Sequence, residues 1–377
     1  MAYRKEHKAH GGVEAQTLKR VFCSDCEGPI SKNDIAFEIT SHYVPDGDKL
    51  FTAISKYDDV LADIIKRPNH RAGSTLKLIL PFLKAYDLTD QKMREFSAQN
   101  LVLITGIKDT LEHVRKVANA FIVSTSYEHY IRALCQAVSF PYENTYCTRF
   151  SLDKQGITEE ERVNLKKIAE DISRMPQIET SLKVKTVRDL SKKDQNTIEQ
   201  LDEIFYKEIA KMKIGKIFHE VNPVGGSEKA QAVKDAAKKT GESLADTMYV
   251  GDSITDEEAF KLVRENGGLA VAFNGNHYAV KNAEVAVLSE HSIVTAIIAD
   301  VFSRFGKAQT LSLVENWNSE ALERSPANQT LIKNLLALYP NKLPKVKIIT
   351  GENRETLAEE SSEFRKKVRG VAIGRLG

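Results

Sequence analysis

The sequence predicts an α/β fold in which a mainly parallel sheet lies between layers of helices. Three observations support this prediction. Short apolar runs rich in β-forming residues alternate with helical patterns, as they do where parallel strands are joined by crossover helices. Most of these runs end at a polar or glycine-bearing turn, and in open α/β sheets the ligand site lies at this carboxyl edge. Two long stretches of purely helical periodicity interrupt the alternation, which predicts inserted helical units.

Length and composition are those of a globular protein with no polyanionic partner. The chain has 377 residues, 42% of them hydrophobic, which is enough for two or three compact units. Its 54 basic and 52 acidic residues almost cancel, so we expect no binding to nucleic acid. No apolar run approaches the ~20 residues that span a bilayer. The four cysteines form no disulfide pattern and the polar first residues resemble no secretion signal, so we expect a cytoplasmic location.

The core domain is predicted from three separate pieces of the chain. These pieces are residues 17–31, 102–150 and 214–300. A mobile N-terminal arm is expected before them, at residues 1–16. The clearest strands of the core are predicted at residues 18–24, 120–124, 247–250, 268–273 and 284–288.

The remaining segments are predicted to be helical. Residues 32–101 form the first insertion, a helical cap, and residues 152–213 form the second, a helical hairpin that opens with a capping box from Thr158 to Glu161. The hairpin either covers the site or only adds stability, and the pattern does not decide between these two roles. Residues 301–377 are predicted to be a helical extension. Its charged segment 353–369 is expected to be a solvated helix, with docking to a protein partner as the alternative.

Two pairs of carboxylates are predicted at the carboxyl edge of the sheet. Asp25 and Glu27 directly follow the first strand and precede a glycine. Asp252 follows the 247–250 strand, and Asp256 enters the next helix. Like charges this close are costly unless a cation or a shared proton offsets them. An acidic turn would explain the first pair alone, and a favourable helix dipole would explain Asp256 alone.

Groups that could bind an anion follow other elements of the same edge. Ser124 ends the second predicted strand, where serine also serves as an ordinary helix cap. Lys229 lies in the first turn of a helix that opens with two glycines. A lysine there faces the positive end of the helix dipole, and a bound anion would make that position favourable. A solvated surface lysine remains the alternative for this residue.

Together these pieces supply what phosphoryl transfer requires. The reaction needs a nucleophile, a hard cation on oxygen ligands and positive donors around the phosphoryl oxygens. Asp25 and Asp252 would provide the nucleophile and the Mg²⁺ ligands, and Ser124 and Lys229 the donors. Because all the pieces lie in chain order at strand ends or helix starts, we predict one site that contains them all.

This order of motifs resembles the haloacid dehalogenase superfamily. The residues that carry the resemblance are Asp25-Cys26-Glu27-Gly28, Ser124, Lys229 and Gly251-Asp252-Ser253-Ile254-Thr255-Asp256. The last motif and the segment 268–288 look like the phosphoserine-phosphatase-like branch. The residues around Asp25 are also similar to an archaeal family described as subunit R of energy-converting hydrogenase A. The resemblance implies a Rossmann-like three-layer core with a cap.

The resemblance also implies a function, a Mg²⁺-dependent phosphatase that acts on a small phosphorylated metabolite. Asp25 would form an aspartyl-phosphate, and Ser124 and Lys229 would hold the phosphoryl oxygens. A phosphotransferase or mutase would use the same residues with water excluded. The alternative from another class is a non-catalytic or weakly catalytic subunit of a larger complex, which would dock, or form a homo-oligomer, through the C-terminal extension.

The same resemblance implies the roles of four acidic residues at a Mg²⁺ site. Asp25, Asp252 and the Glu27 main-chain carbonyl would bind the metal, and Asp256 would orient this cluster. The family's phosphatases usually carry Asp where this chain has Glu27, as the acid and base of the reaction. Three interpretations remain: a working acid in an adjusted site, a slower phosphatase, or a site retained only for binding.

Two further groups of residues are candidates for other roles. Arg67, His70, Arg71 and Arg94 in the first insertion could bind a substrate carboxylate or a second phosphate, although a solvated basic rim explains each of them singly. Cys23 and Cys26 form a C-x-x-C pattern, but strand alternation is expected to bury Cys23. We therefore expect no zinc–thiolate site.

Overall fold

The structure is a computed structural model that describes residues 19–68, 70–179, 184 and 186–376. The N-terminal arm expected at residues 1–16 lies outside the described residues. Part of the second insertion does so as well, at residues 180–183 and 185. None of the helices in the described ranges is both long and apolar enough to cross a membrane.

A seven-stranded sheet forms the centre of the described chain, in the order β3-β2-β1-β4-β5-β6-β7. All neighbouring strands are parallel except β6 and β7, which are antiparallel. The predicted α/β class with a mainly parallel sheet is therefore confirmed. The strands are β1 (Val21–Ser24), β2 (Asn119–Tyr127), β3 (Thr145–Thr148), β4 (Thr247–Gly251), β5 (Leu269–Phe273), β6 (Val285–Leu288) and β7 (Lys345–Ile348).

Nineteen α-helices surround this sheet in the part of the chain that the structure describes. In chain order they are α1 (Ile35–Tyr43), α2 (Gly47–Asp59), α3 (Thr75–Leu78), α4 (Leu80–Ala85), α5 (Asp90–Gln99), α6 (Ile107–Val117), α7 (Glu128–Val138), α8 (Glu159–Ser173), α9 (Lys192–Asp202), α10 (Ile217–Glu220), α11 (Ser227–Thr240), α12 (Glu257–Glu265), α13 (His277–Asn282), α14 (Ile293–Phe305), α15 (Lys307–Glu315), α16 (Ser319–Arg324), α17 (Gln329–Leu338), α18 (Arg354–Arg369) and α19 (Val371–Gly374). Two π-helical turns, Val60–Ile64 and Glu203–Glu208, extend α2 and α9.

The central strand β1 shows why the core has three layers. All four of its residues are buried, since helices cover both faces of the sheet. Val21 and Cys23 face one apolar cluster, which includes residues of α11 and α12. Phe22 faces the other, which includes residues of α6 and α14. The strand's parallel neighbours are β2 on one side and β4 on the other, so the chain following β1 emerges where the direction of crossover changes.

The two insertions pack against each other. The first carries α1 to α5, and the second carries α8 and α9. The ring of Tyr57 in α2 stacks on Phe205 in the second insertion, with centroids 5.8 Å apart. Asp202 accepts hydrogen bonds from the Tyr57 hydroxyl and, at 2.5 Å, from Arg67 Nη2. The predicted capping box at the start of α8 is present between Thr158 and Glu161.

The C-terminal extension differs from the prediction in two respects. It is not wholly helical, because β7 joins the edge of the sheet beside β6. The charged segment 353–369 is not a solvated helix either, since α18 packs on α13 and one of its faces is buried. That face carries Leu357, Ser361, Arg365 and Arg369. The prediction of a solvated helix was wrong for this face, where both arginines are buried and paired with Asp252.

Candidate active site

Asp25 follows β1 and forms a buried ion pair with Lys229. Its Oδ2 lies 2.7 Å from Lys229 Nζ, and its Oδ1 accepts a 2.6 Å hydrogen bond from the main-chain N–H of Cys26. Lys229 Nζ also lies 2.7 Å from Asp256 Oδ1. Lys229 is completely buried, so the alternative of a solvated surface lysine is excluded. The structure brings these three predicted residues together.

Asp256 is held entirely by the protein. Its Oδ1 accepts hydrogen bonds from Lys229 Nζ at 2.7 Å and from the Tyr249 hydroxyl at 2.6 Å. Its Oδ2 accepts 2.9 Å bonds from the main-chain N–H groups of Asp252 and Ser253. Because both oxygens are occupied in this way, Asp256 orients Lys229 and the loop that carries Asp252.

Asp252 lies close to the loop that follows Asp25. Gly28 in that loop has a φ of +110°, and a Cβ at this glycine would collide with the Asp252 carboxylate. The glycine therefore permits both the turn and the approach of the two carboxylate-bearing loops. Asp25 itself lies beside β4, because the main-chain N–H of Asp25 donates a 2.8 Å hydrogen bond to the Val250 carbonyl.

The acidic residues at this edge fit a divalent metal ion. One carboxylate oxygen from each of Asp25, Asp252 and Asp256 lies within 4.8 Å of the others, and all three residues are buried. Carboxylate oxygens are the ligands that Mg²⁺ prefers. Asp25 and Asp252 line a cavity, whereas Asp256 does not. These residues fit Mg²⁺ with Asp25 and Asp252 as direct ligands and Asp256 behind them.

Burial and charge act in opposite directions on the central ion pair. Burial raises the pKa of Asp25 to about 6, although the charge of Lys229 opposes the rise. Burial by itself would lower the pKa of Lys229, but the Asp25 and Asp256 carboxylates outweigh it and the pKa is raised. Lys229 therefore carries its charge at neutral pH, and this charge favours the carboxylate form of Asp25.

Glu27 lines the same cavity as Asp25 and Asp252. Its Oε1 accepts a 2.7 Å hydrogen bond from the main-chain N–H of Ile35, at the start of α1. Burial raises the pKa of Glu27 to about 8, and the nearby charge of Asp34 contributes to the rise. A protonated carboxyl group at neutral pH can donate a proton to a leaving group. The longer side chain of Glu27 is thus held at the start of the first insertion.

Ser124 is buried within β2, which continues beyond the predicted end to Tyr127, and no described contact joins it to Asp25 or Lys229. Its Oγ accepts a 3.1 Å hydrogen bond from the Ser126 main-chain N–H. The next residue, Thr125, lines the cavity instead, and its buried Oγ1 has no hydrogen-bond partner. The role predicted for Ser124 stays a prediction, and Thr125 joins it as a candidate donor.

The cavity beside Asp25 is small, with a volume of about 90 Å³. Its walls come from the core loops, the first insertion and the C-terminal segment. No residue of the second insertion that the structure describes lines it. The first insertion therefore closes the site, and the second supports the first from outside. The insertion contributes Asp34, Phe51, Ser55, Asp58, Asp59, Gly73, Thr75 and Leu76 to the lining, and the C-terminal segment contributes Arg365, Arg369 and Leu376.

Two arginines of α18 reach into the site and were not identified from the sequence. Arg365 and Arg369 both place Nη1 against Asp252 Oδ2, Arg369 at 3.0 Å. Arg369 also donates from Nε to the Lys32 carbonyl at 3.0 Å and from Nη2 to the Asn33 carbonyl. The spacing of the arginines was the available signal, because they follow Leu357 and Ser361 at intervals of four along one helix face.

The basic residues proposed from the first insertion do not line this cavity. Arg67 pairs with Asp202, and His70 pairs with Asp58 at 2.6 Å. Arg71 pairs with Glu228 at 2.8 Å, and Arg94 is exposed. Arg67, His70 and Arg71 are held by these local partners, and substrate binding by the four residues stays a prediction. All four cysteines are buried and free, and none belongs to the described cluster of metal-binding groups.

The fold and the site together define a hydrolase-type α/β protein with an acid–lysine centre at the crossover of its parallel sheet. The family model of haloacid dehalogenase-like hydrolases matches residues 107–300, and the chain belongs to this family. The matched range contains Ser124, Lys229, Asp252 and Asp256, whereas Asp25 and Glu27 precede it.

Solved structures resemble the chain in different degrees. A gene product of Archaeoglobus fulgidus, AF1437, is 23% identical, with a TM-score of 0.77 over 95% of this chain and 99% of that one. This similarity extends the fold over the insertions and the C-terminal segment. Phosphoserine phosphatase in apo form is 13% identical over 72% of this chain and 95% of that one, with a TM-score of 0.40. A phospho-aspartyl intermediate analogue of phosphoserine phosphatase is 15% identical over 71% and 92%, with a TM-score of 0.43. No curated protein sequence matches the chain.

Proposed function

We propose that this protein is a Mg²⁺-dependent phosphatase that acts on a small phosphorylated metabolite through an aspartyl-phosphate at Asp25. The observation that carries the proposal is the position of Lys229, completely buried and 2.7 Å from both Asp25 and Asp256. A buried lysine is costly unless it is paired. Here it neutralises the nucleophile and offers a positive charge to the incoming phosphoryl oxygens.

The proposed reaction has two steps at one carboxylate. A carboxylate oxygen of Asp25 attacks phosphorus, the bond to the leaving-group oxygen breaks, and that oxygen takes a proton. Water then attacks phosphorus, and the bond to Asp25 breaks to release inorganic phosphate. Bound Mg²⁺, held by Asp25 and Asp252, would supply positive charge near the phosphoryl oxygens. Lys229 and Thr125 would contribute donors to the same oxygens.

Glu27 is the proposed acid and base of these two steps. It would protonate the leaving group first and then accept a proton from the attacking water. Its position in the cavity wall supports this role. Its Oε1 is held by the Ile35 N–H, so the proton must move through Oε2. Because general acid–base catalysis contributes ~10²–10⁴-fold, a poorly placed Glu27 would give a slow phosphatase with intact phosphate binding.

The contact of Arg365 and Arg369 with Asp252 favours a second candidate function. Guanidinium groups on a metal-binding carboxylate would compete with Mg²⁺, as expected in a non-catalytic or weakly catalytic subunit of a larger complex. The docking surface expected on the C-terminal extension would then have to exclude the α18 face that carries Leu357, Arg365 and Arg369, since that face is buried. The cytoplasmic location, the substrate and any protein partner stay predictions.

Hydrolysis of p-nitrophenyl phosphate and a panel of phosphorylated metabolites, with and without Mg²⁺, tests the proposal. The wild type is compared with Asp25→Asn, Glu27→Asp and the exposed control Asp48→Asn. We expect Mg²⁺-dependent turnover that Asp25→Asn abolishes and Asp48→Asn preserves. Activity that appears only in Glu27→Asp would mean that one methylene group detunes the acid. Absence of turnover in all folded variants would favour the non-catalytic subunit.

A further inference from the structure

We propose that Arg365, from the C-terminal helix α18, binds the oxygens of the phosphoryl group in the active-site cavity. The inference rests on the proposed phosphatase function and assigns it a residue from a segment that the family motifs do not include. Arg365 is 3% exposed, lines the cavity with Asp25 and Thr125, and contacts Asp252 through Nη1. It is thus a buried cation within the site.

The hydrogen bonds of the two arginines distinguish their roles. Arg369 uses all three of its nitrogens, on the Lys32 and Asn33 carbonyls and on Asp252. Arg365 uses Nη1 on Asp252 and Nη2 on the Leu376 carbonyl at 3.4 Å, while its buried Nε has no partner. Arg369 therefore fastens the helix to the core, and Arg365 retains a free donor.

A second free donor lies in the same cavity. Thr125 is 8% exposed, and its buried Oγ1 also has no hydrogen-bond partner. Buried donors are rarely left unpaired, because each one loses its bonds to water. A ligand with several acceptor oxygens would satisfy both. A cavity of about 90 Å³ next to Asp25 is small for a whole metabolite but suited to a single tetrahedral phosphoryl group.

The acidic residues of the cavity wall do not oppose an anion as strongly as their number suggests. Asp58 accepts hydrogen bonds from Gly73 and Thr75 and pairs with His70. Asp34 caps α1 through the Phe37 N–H, and Glu27 accepts the Ile35 N–H. Each of these three carboxylates thus accepts at least one hydrogen bond from the protein, whereas Arg365 Nε and Thr125 Oγ1 have no partner.

The contact between Arg365 and Asp252 is compatible with this role. The guanidinium group contacts the Asp252 carboxylate through one nitrogen, Nη1. A divalent cation at Asp252 would weaken this contact, and a phosphoryl group beside Asp25 would then offer acceptor oxygens to Arg365. The planar, multidentate guanidinium group suits phosphate oxygens better than an ammonium group does.

Binding of inorganic phosphate to the full chain, measured by calorimetry in saturating Mg²⁺, tests the inference without turnover. Arg365→Ala is expected to weaken phosphate binding by about 10- to 100-fold, as loss of a charged hydrogen-bonding group does. Thr125→Val is expected to weaken it by about 3- to 10-fold. The control is Arg354→Ala, an exposed arginine at the start of the same helix, which is expected to bind as the wild type does.

The outcomes separate this inference from the proposed function. A wild type that binds no phosphate would overturn both. Equal phosphate affinity in wild type and Arg365→Ala would overturn the role of Arg365 alone. Tighter Mg²⁺ binding by Arg365→Ala with unchanged phosphate affinity would also overturn it, since the arginine would then be a competitor of the metal. If Arg365→Ala does not fold, Arg365→Lys, expected to lose part of the affinity, and Thr125→Val decide the question.

Discussion

Lys229 shows how a single buried residue organises the site. Its ammonium group is buried away from water. Two carboxylates, those of Asp25 and Asp256, take the place of water as its partners, each 2.7 Å away. Removing one partner of a buried pair leaves an uncompensated charge, which costs about 3–5 kcal/mol. Asp256 is therefore as necessary for Lys229 as Asp25 is, although only Asp25 lines the cavity. The nucleophile and its neutralising cation are positioned by a third residue from a different loop.

Asp59 allows a test of the electrostatics in the first insertion. Burial raises the pKa of Asp59 to about 6 from an ordinary value of 3.8. The charge of Lys56, 3.5 Å away, lowers this pKa but does not cancel the effect of burial. Since the folded-state pKa is the higher one, the folded protein retains a proton that the unfolded chain releases. Ionised Asp59 therefore costs stability, fully above about pH 6 and hardly at all below about pH 4. At 1.36 kcal/mol per pKa unit, the cost is on the order of 3 kcal/mol.

Asp59→Asn should remove that cost. We expect the variant to unfold at a higher temperature than the wild type at about pH 7 to 8, where Asp59 is ionised. The difference in unfolding temperature should disappear near pH ~4, where the Asp59 of the folded wild type is protonated. Thermal unfolding followed by circular dichroism across this range measures it. Asp48→Asn, at an exposed position of the same helix, is the control. A difference that is constant with pH would show that the ionisation of Asp59 does not determine stability.

At the scale of elements, α18 is a helix whose polar residues perform two different tasks. Its outer face is charged and solvated, as expected. Its inner face fastens the helix through Ser361, which donates a 2.6 Å hydrogen bond to the Gly275 carbonyl, and through Arg369, which reaches the Lys32 and Asn33 carbonyls. The helix thus connects the end of the chain to the junction between β1 and the first insertion.

Arg369→Ala should loosen this connection while leaving Arg365 on Asp252. We expect tryptic cleavage within residues 354–376 to accelerate by about 10-fold or more, because buried hydrogen bonds from a charged group contribute roughly 1.5–3 kcal/mol each. Mass spectrometry of the early fragments measures the rate. Arg354→Ala removes an exposed arginine and a cleavage site outside the contact, and serves as control. Unchanged cleavage would show that Leu357 and Ser361 suffice to hold the helix.

The elements that the sequence predicted well are those with a simple burial pattern. The strands β1, β4, β5 and β6 are continuous buried runs. Three of them lie within their predicted ranges, and β4 extends one residue beyond its range, to Gly251. The strand β7 was missed because its pattern is mostly exposed, as is usual at a sheet edge, and only Val346 is buried. The role of α18 was missed for a related reason: local periodicity cannot show that an arginine is paired with a carboxylate 117 residues away along the chain.

The residues of the candidate site that the sheet positions were predictable from the sequence. Asp25, Lys229, Asp252 and Asp256 all follow strands or begin helices of one parallel sheet, and chain order alone brings such positions to one edge. The residues contributed by inserted and terminal segments were not predictable. The pairing of Arg67 with Asp202 and of Arg71 with Glu228, for example, could not be predicted. The position of a residue at the end of a parallel strand can be predicted from the sequence. The position of a side chain that depends on packing between distant segments cannot be predicted in this way.

At the scale of the whole molecule, the two insertions behave as one unit above the sheet. The second insertion is tied to α2 by the Tyr57–Phe205 stack and by Asp202, and the first insertion in turn forms the cavity wall. The buried residues of both insertions belong to the same apolar cluster as β2, α6 and α14. A continuous core of this kind predicts that the insertions and the sheet unfold together.

Phe205→Ala tests this coupling. Phe205 is fully buried between Tyr57, Phe82 and Phe218, so its truncation should leave a cavity and lower the free energy of unfolding by about 3–5 kcal/mol. The neighbouring Tyr206 is 43% exposed, and Tyr206→Ala should cost no more than about 1 kcal/mol, chiefly from its contact with Arg67. Calorimetry of both variants and the wild type should show one transition in each case, shifted downwards mainly in Phe205→Ala. A second transition at lower temperature in Phe205→Ala would mean that the second insertion unfolds by itself, and that the wall of the active site does not depend on it.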